Sequence, residues 1–598
     1  MFTKHRYLIA LGLIAMLFSS CGTPPPPAGP MPTALPATAT PVPPTKTPAP
    51  SPTATIPPTA TPVPPTETPL PAPTLSNPAE AREPVAVSPV GLDGTLPTGA
   101  DGQPWWNDVV FYEIFVRSFY DSDGDGVGDL PGLIEKLDYL NDGDPTTTDD
   151  LGVTGLWLMP VHQSPSYHGY DVVDYYQIDD EYGTNEDFLR LMEEAHARGI
   201  YVIIDLVLNH TSAQHPWFLE SQDPDSEKRD WYLWADEPGR QGWHKGESGY
   251  YYGIFWDQMP DLNYENPEVT AEMQEIIRFW LEDMGVDGFR LDAIKHIVEE
   301  GDELENTPAN HAWLESFYEF YKSVRADAFT VGEVWSSSRE VVEYVGDEVD
   351  IAFEFDLADA FVSAAFRGRR TSAALAQSTV IDLYPDGQFA TFLANHDQTR
   401  VRSRLLNDEQ AKLAATLQLT FPGVPFIYYG EEIGMQGAKP DENIRRPMQW
   451  TADGGFTTGA PWRGYYEDVA ERNVAAQTDD PDALLNHYRA LIHLRNTHEA
   501  LRIGAWTPIE SHHSGVYAAL RTSDEETLLV IANLKGEPIV DYALDLEEGP
   551  LAAGVQPTLL LGEGRLNAPI VAETGGFTGY APLPVLESYQ SYIIQFLP

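Results

Sequence analysis

The chain has 598 residues, 42% of them hydrophobic and 11% aromatic, which is enough for two to four domains with sizeable cores. With 36 basic against 91 acidic residues its net charge is −55, which excludes nucleic acid and an anionic membrane surface as electrostatic partners and favours a neutral ligand or a cation. A single cysteine, Cys21, excludes an internal disulfide.

In chain order, Lys4 and Arg6 precede an apolar run from Tyr7 to Phe18 that is too short for a permanent membrane span. The run ends in "LFSSC", which resembles a bacterial lipobox. Residues 1–21 are therefore expected to be a lipoprotein signal, with Cys21 as the acylated anchor and plain secretion as the alternative. Residues 22–100 form a Pro/Thr-rich linker, as in "PTATIPPTATPVPPTETP", with no apolar face to bury. It predicts an extended tether at the cell surface, the lipid anchor being the only membrane contact.

From Trp105 onward apolar strand-like runs alternate with helical patterns. The runs are "VVFYEIFVRSF", "GVTGLWLMP", "YVIIDLVLNH", "VDGFRLDAI", "AFTVGEVW", "VDIAFEFD", "FATFLANHD" and "VPFIYYGEE". Eight strands alternating with helices predict an α/β fold, a (β/α)8 TIM barrel of parallel strands. A doubly wound sheet would carry a Gly-rich phosphate turn after its first strand, and none is visible. The barrel is expected in two parts, 101–210 and 261–503, split after the third strand by a small inserted domain, 211–260, rich in tryptophan. Beyond Gly504 the helical rhythm stops, and 504–598 predicts a C-terminal antiparallel β-sandwich.

Active sites of such barrels form at the C-terminal strand ends. Those ends carry Asp205, Asn209 and His210 (third), Arg290 and Asp292 (fourth), Glu333 (fifth), and His396 and Asp397 (seventh). Arg290 and Asp292 are two apart in "GFRLDAIKH", so they share one face of their strand. Asp292 and Glu333 fall one βα repeat apart, and carboxylates on neighbouring strand ends can reach the roughly 5 Å separation of a retaining glycosidase.

The blocks "DLVLNH", "MPDLN", "GFRLDAIKH", "GEVW" and "FLANHD", in this order and spacing, make the body from Trp105 to the C-terminus resemble the α-amylase family of glycoside hydrolases, with oligo-1,6-glucosidase and neopullulanase-like features. The resemblance implies Asp292 as nucleophile, Glu333 as general acid and then base, and Asp397 as stabiliser of the transition state. Arg290 would keep Asp292 ionised. His210 and His396 would bond hydroxyls of the reacting sugar, Tyr170 would stack on it, and His168 lies beside Tyr170 in "YHGYD".

"DSDGDGVGD" places Asp121, Asp123, Asp125, the Val127 carbonyl and Asp129 at alternate positions of a Gly-assisted turn, as a Ca2+ loop does. Gly132 stands where a full EF-hand has glutamate. Two signals then compete over substrate. Lys295 and His296 match positions that bind leaving-group sugars in endo-acting amylases. "RRPMQW" and "GFTTGAPW" resemble oligosaccharide-trimming members, in which Asp171 and Arg400 would pair to grip a chain end. The expected activity is α-amylase hydrolysis of α-1,4-glucan by a monomer; the alternative is an oligo-1,6-glucosidase or neopullulanase-like enzyme acting on short oligosaccharides. A non-catalytic starch-binding lipoprotein, the remote alternative, would be expected to have lost one of the three acids or the arginine, and all four are present.

Overall fold

The computed structural model describes residues 99, 102–239 and 241–597. The signal, Cys21 and the linker up to residue 98 lie outside the described residues.

Eight parallel strands form the barrel: β1 (Phe111–Ile114), β2 (Gly155–Leu158), β3 (Tyr201–Leu206), β4 (Gly288–Leu291), β5 (Phe329–Gly332), β6 (Ile351–Ala352), β7 (Ala390–Thr391) and β8 (Val424–Tyr428). Each pairs in parallel with its neighbours in the order β6-β5-β4-β3-β2-β1-β8-β7. A single parallel bridge, Phe353 to Ala390, joins the two ends of that order. β3 and β8 are buried at every position, which is why their sequences run continuously apolar: one face meets the helices and the other the barrel interior. β6 and β7 are only two residues long, shorter than their apolar runs suggest. After β6 the chain turns at once into a helix, Phe355–Arg367, whose first turn is capped by the Glu354 side chain.

The barrel interior has two storeys because inward side chains recur at every second residue. The lower storey is aromatic and aliphatic: Phe111 stacks on Phe426 at 4.7 Å and on Phe329 at 5.4 Å, with Trp157, Ile203, Val331 and Phe353 in the same cluster. Two residues further along the same strands come Glu113 after Phe111, Asp205 after Ile203 and Glu333 after Val331, and β4 carries Arg290 and Asp292 at the same end. The hydrophobic plug thus supports a polar storey at the C-terminal rim. The lower end is covered by the turn Trp105–Asp108, where Trp105 stacks on Tyr201 at 3.7 Å.

Between β3 and the helix Pro267–Arg278, the segment 211–260 forms a lobe with a helix, Pro216–Ser221, and three antiparallel strands, Trp234–Ala235, Trp243–Lys245 and Tyr250–Tyr252. Phe218 packs on Tyr251 at 4.8 Å and Trp217 on Trp231 at 4.8 Å, so much of the lobe's aromatic content is its own small core. After the helix Leu484–Thr497, two antiparallel sheets of five and three strands enclose a second core that includes Leu520, Ile531, Leu544, Phe577 and Ile594. This is the expected C-terminal sandwich.

Candidate active site

Register builds the site. Asp205 on β3 lies opposite Arg290 on β4, and Arg290 opposite Val331 on β5, two residues before Glu333. The Arg290 guanidinium is fully buried and meets three carboxylates, each at 2.7 Å: Nη1 donates to Asp205 Oδ1 and Asp292 Oδ1, and Nη2 donates to Glu333 Oε2. One cation therefore gathers acids from three strands.

Their second oxygens separate their roles. Asp205 Oδ2 accepts from the Tyr170 hydroxyl at 3.0 Å and from Trp157 Nε1 at 3.3 Å, so both its oxygens are committed and the residue is wholly buried. Asp292 commits Oδ1 to Arg290, and Glu333 commits Oε2 to Arg290 and to the Ala293 amide. Both side chains reach the cleft, with Asp292 Oδ2 and Glu333 Oε1 left for a substrate. Ala293 itself sits at φ 48°, a left-handed turn that redirects the chain just beyond Asp292.

Three carboxylates around one buried guanidinium cannot all ionise without uncompensated charge, so the group retains protons that isolated acids would lose. Burial pushes Glu333 up to about 7; Arg290 opposes the shift, while Asp292, Asp397 and Asp205 add to it. Burial likewise raises Asp205 to about 7 against Arg290. Asp397 goes the other way. Burial works to raise it, but His396, Arg445, Arg290 and Lys439 outweigh burial and hold its carboxyl well below the ordinary range. Arg445 Nη2 donates to Asp397 Oδ1 at 2.7 Å, and His396 Nε2 lies 3.3 Å from Oδ2.

The remaining residues from the sequence reading fall into three sets. Tyr170, His396, His210 and His168 pack around the acids. The Tyr170 ring lies parallel to His396 at 5.5 Å, and its hydroxyl is 2.7 Å from His396 Nε2. His396 Nδ1 is tied to Glu113 Oε1 at 2.6 Å, His210 Nε2 bonds the Tyr170 carbonyl at 3.1 Å, and the Tyr170 amide donates to His168 Nδ1 at 3.1 Å. Burial lowers the pKa of all three histidines, and the charge of Asp397 opposes that shift at His396. Lys295 and His296 form a second set just beyond β4: Lys295 bonds Glu305 at 2.6 Å and the Trp335 carbonyl at 3.0 Å, and His296 Nδ1 is 2.7 Å from the Leu304 carbonyl.

Asp171 and Arg400 are not brought into a pair. Asp171 accepts from the hydroxyls of Ser164 and Ser166 and lies 3.8 Å from His168. Arg400 is buried under Tyr428 and Tyr429 and donates to the carbonyls of Ile444 and Tyr429, both at 2.6 Å. Its carbonyl partners come from segments that follow β8, so local sequence could not show where this long side chain ends. The arginine that meets Asp397 is Arg445, the first residue of "RRPMQW", a motif visible in the sequence without its partner. Glu113 and Phe255 were also not singled out; Glu113 had a signal, being a charged residue inside the apolar first strand.

In the loop after β1, Asp121, Asp123 and Asp129 each offer an oxygen within 4.8 Å of the others. Asp125, whose Oδ1 accepts from the Val127 amide at 2.7 Å, is not part of that group. Burial works to raise Asp121, but hydrogen bonds from Thr457 and from the amides of Gly124, Gly126 and Asp123 leave its pKa lowered, so its carboxylate is ionised. An all-oxygen donor set of this kind fits a hard divalent cation.

A family model described as "Alpha amylase, catalytic domain" matches residues 113–504. Alpha-amylase 3 of Dictyoglomus thermophilum is 41% identical over 443 residues, covering 72% of this chain and 86% of that protein. An oligo-1,6-glucosidase of Heyndrickxia coagulans is 35% identical over 520 residues, covering 72% of this chain and 92% of that protein. Among solved structures, an α-amylase from H. orenii superposes with a TM-score of 0.72 at 42% identity, covering 82% of this chain and 99% of that one.

Proposed function

Because the chain belongs to the α-amylase family of glycoside hydrolases, we propose that it cleaves the α-1,4 bonds of starch-type glucans and maltooligosaccharides by a retaining double displacement. The observation that carries this reading is the Arg290 guanidinium holding Asp292 and Glu333 through neighbouring terminal nitrogens. The two acids stand one guanidinium apart, which suits the short carboxylate spacing of about 5 Å in retaining glycosidases.

In the first step Asp292 Oδ2 attacks the anomeric carbon while Glu333 passes its proton to the glycosidic oxygen, so that the leaving sugar departs neutral. Arg290 Nη1 orients the nucleophile through Asp292 Oδ1, and burial pushes the acid up to about 7. In the second step the Glu333 carboxylate takes a proton from water, which attacks the same carbon and releases Asp292. Asp397, ionised and held by Arg445, faces the positive charge that develops on the sugar ring.

The α-1,4-glucan assignment is supported by the likeness to Alpha-amylase 3 and by the Lys295–His296 pair beside the acid's strand. Action on short oligosaccharides is the second reading, favoured by the "RRPMQW" motif and the oligo-1,6-glucosidase likeness. Product analysis on soluble starch separates them: rapid viscosity loss with mixed maltooligosaccharides is the expected result, and glucose alone from maltotriose with starch untouched would overturn it.

The lipobox-like "LFSSC" and the Pro/Thr tether support an exported enzyme held outside the cell through Cys21, where polymers too large to import are met. The net charge of −55 suits a neutral polymer substrate. The Asp121–Asp123–Asp129 cluster supports a structural Ca2+, which would tie the loop after β1 to the barrel. Chelation with EDTA is expected to lower the melting temperature, re-addition of Ca2+ to restore it, and Asp121→Ala to abolish the difference. A melting curve indifferent to chelator removes the calcium.

A further inference from the structure

We propose that Glu113, on the apolar first strand, is a positioning residue of the active site: it fixes the His396 imidazole so that Nε2 meets the Asp397 carboxylate and the Tyr170 hydroxyl. The inference rests on the hydrolase reading, in which Asp397 faces the charge that develops on the sugar ring. Glu113 is 2% exposed, and its register partners are Trp157 on β2 and Tyr428 on β8, so neither neighbouring strand sets a cation opposite it. A carboxyl buried in such a place is costly unless a partner compensates it. That partner is His396. Glu113 Oε1 lies 2.6 Å from its Nδ1 and accepts from its main-chain amide at 3.4 Å. A carboxyl oxygen and a ring nitrogen come this close only with a proton between them, whichever of the two groups owns it.

Packing alone does not fix this ring. Trp157 meets it edge-on at 5.7 Å and Tyr170 lies parallel to it at 5.5 Å, and these contacts set its plane. Flipping the ring about its Cβ–Cγ bond keeps that plane but exchanges Nδ1 with Cδ2 and Nε2 with Cε1. Only a hydrogen-bonding group tells the two orientations apart, and the partner of one ring nitrogen decides what the other presents. With Nδ1 held by Glu113, Nε2 lies 2.7 Å from the Tyr170 hydroxyl and 3.3 Å from Asp397 Oδ2. In the flipped ring a C–H group would stand there instead. Glu113 therefore acts through His396 on the carboxylate that Arg445 holds by its other oxygen.

The test is a double-mutant cycle. Glu113→Met keeps the length of the side chain and removes the hydrogen bond to Nδ1; it is expected to lower kcat on soluble starch about 10- to 100-fold, with KM changed less than about 2-fold. In a His396→Ala background the same substitution should change kcat by less than about 2-fold, because the ring through which Glu113 acts is gone. Glu113→Gln, whose amide can still bond Nδ1, should keep kcat within about 3-fold of the native value. Glu113→Leu serves with the same expectations if the methionine variant misfolds, and thermal melting identifies the folded variants. A native kcat in folded Glu113→Met, or equal losses with and without His396, overturns the positioning role. So does a loss in Glu113→Gln as large as in Glu113→Met, which would assign the effect to charge and not to the bond at Nδ1. A native enzyme that turns over neither starch nor maltotriose would overturn the hydrolase reading, and this inference with it.

Discussion

Asp292→Asn is expected to lower kcat by about 10⁴-fold or more, the scale seen when a covalent nucleophile is removed from an otherwise intact site. The loss is chemical rather than structural. Asparagine keeps the shape of the side chain and can still accept from Arg290 Nη1, so the melting temperature should stay close to that of the native enzyme, while no glycosyl-enzyme can form. Steady-state rates on soluble starch together with thermal melting check both halves; a folded variant that keeps more than a few per cent of native turnover would move the nucleophile elsewhere. The same chemistry sets the pH dependence of the native enzyme. Glu333 must enter the first step protonated, and its carboxyl is pushed up to about 7. The rate should therefore hold below that pH and fall as pH rises through it, and Glu333→Gln should remove this alkaline limb together with most of the activity.

Arg290→Met is expected to destabilise the fold by about 3–5 kcal/mol, because it leaves Asp205, Asp292 and Glu333 buried without their shared cation. Methionine fills much of the space, so the loss reports charge more than a cavity. Its sign with pH follows. Without Arg290 the three acids hold their protons more tightly in the folded chain than in the unfolded one. The folded state is then least penalised below the ordinary carboxylate range of about 4 and increasingly penalised as pH rises above it. Denaturant midpoints for native and variant proteins should converge in acid and diverge toward neutrality; a constant gap would make packing, not charge, the cause. Arg290→Lys keeps the charge but replaces a flat fork by a point donor that cannot span both nucleophile and acid. It should recover part of the stability and little of the activity.

Much of this is legible in the amino-acid sequence. A charged pair two residues apart inside an apolar strand has one explanation that does not waste burial: both side chains face a polar rim, and Arg290 does contact Asp292. Eight strand–helix units, the lobe after the third and the terminal sandwich were readable because strand and helix periodicities are local properties of the chain. What escaped was partnership. Asp205 was seen at a strand end, but that it uses both oxygens on Arg290, Tyr170 and Trp157, and so has none for a substrate, follows from inter-strand register. Arg400 was expected beside Asp171 and lies under Tyr428 and Tyr429, while Arg445, 48 residues from Asp397, holds that carboxylate.

The amino-acid order by itself determined which elements form, which residues face the rim, and which acids and bases are available there, because each depends on spacings of two to four residues. Only the tertiary structure decided which carboxylate holds a proton and which stays ionised. A pKa answers to burial and to charges within a few ångströms, and at this rim those charges come from strands and loops tens to hundreds of residues apart, brought within reach by the closure of the barrel.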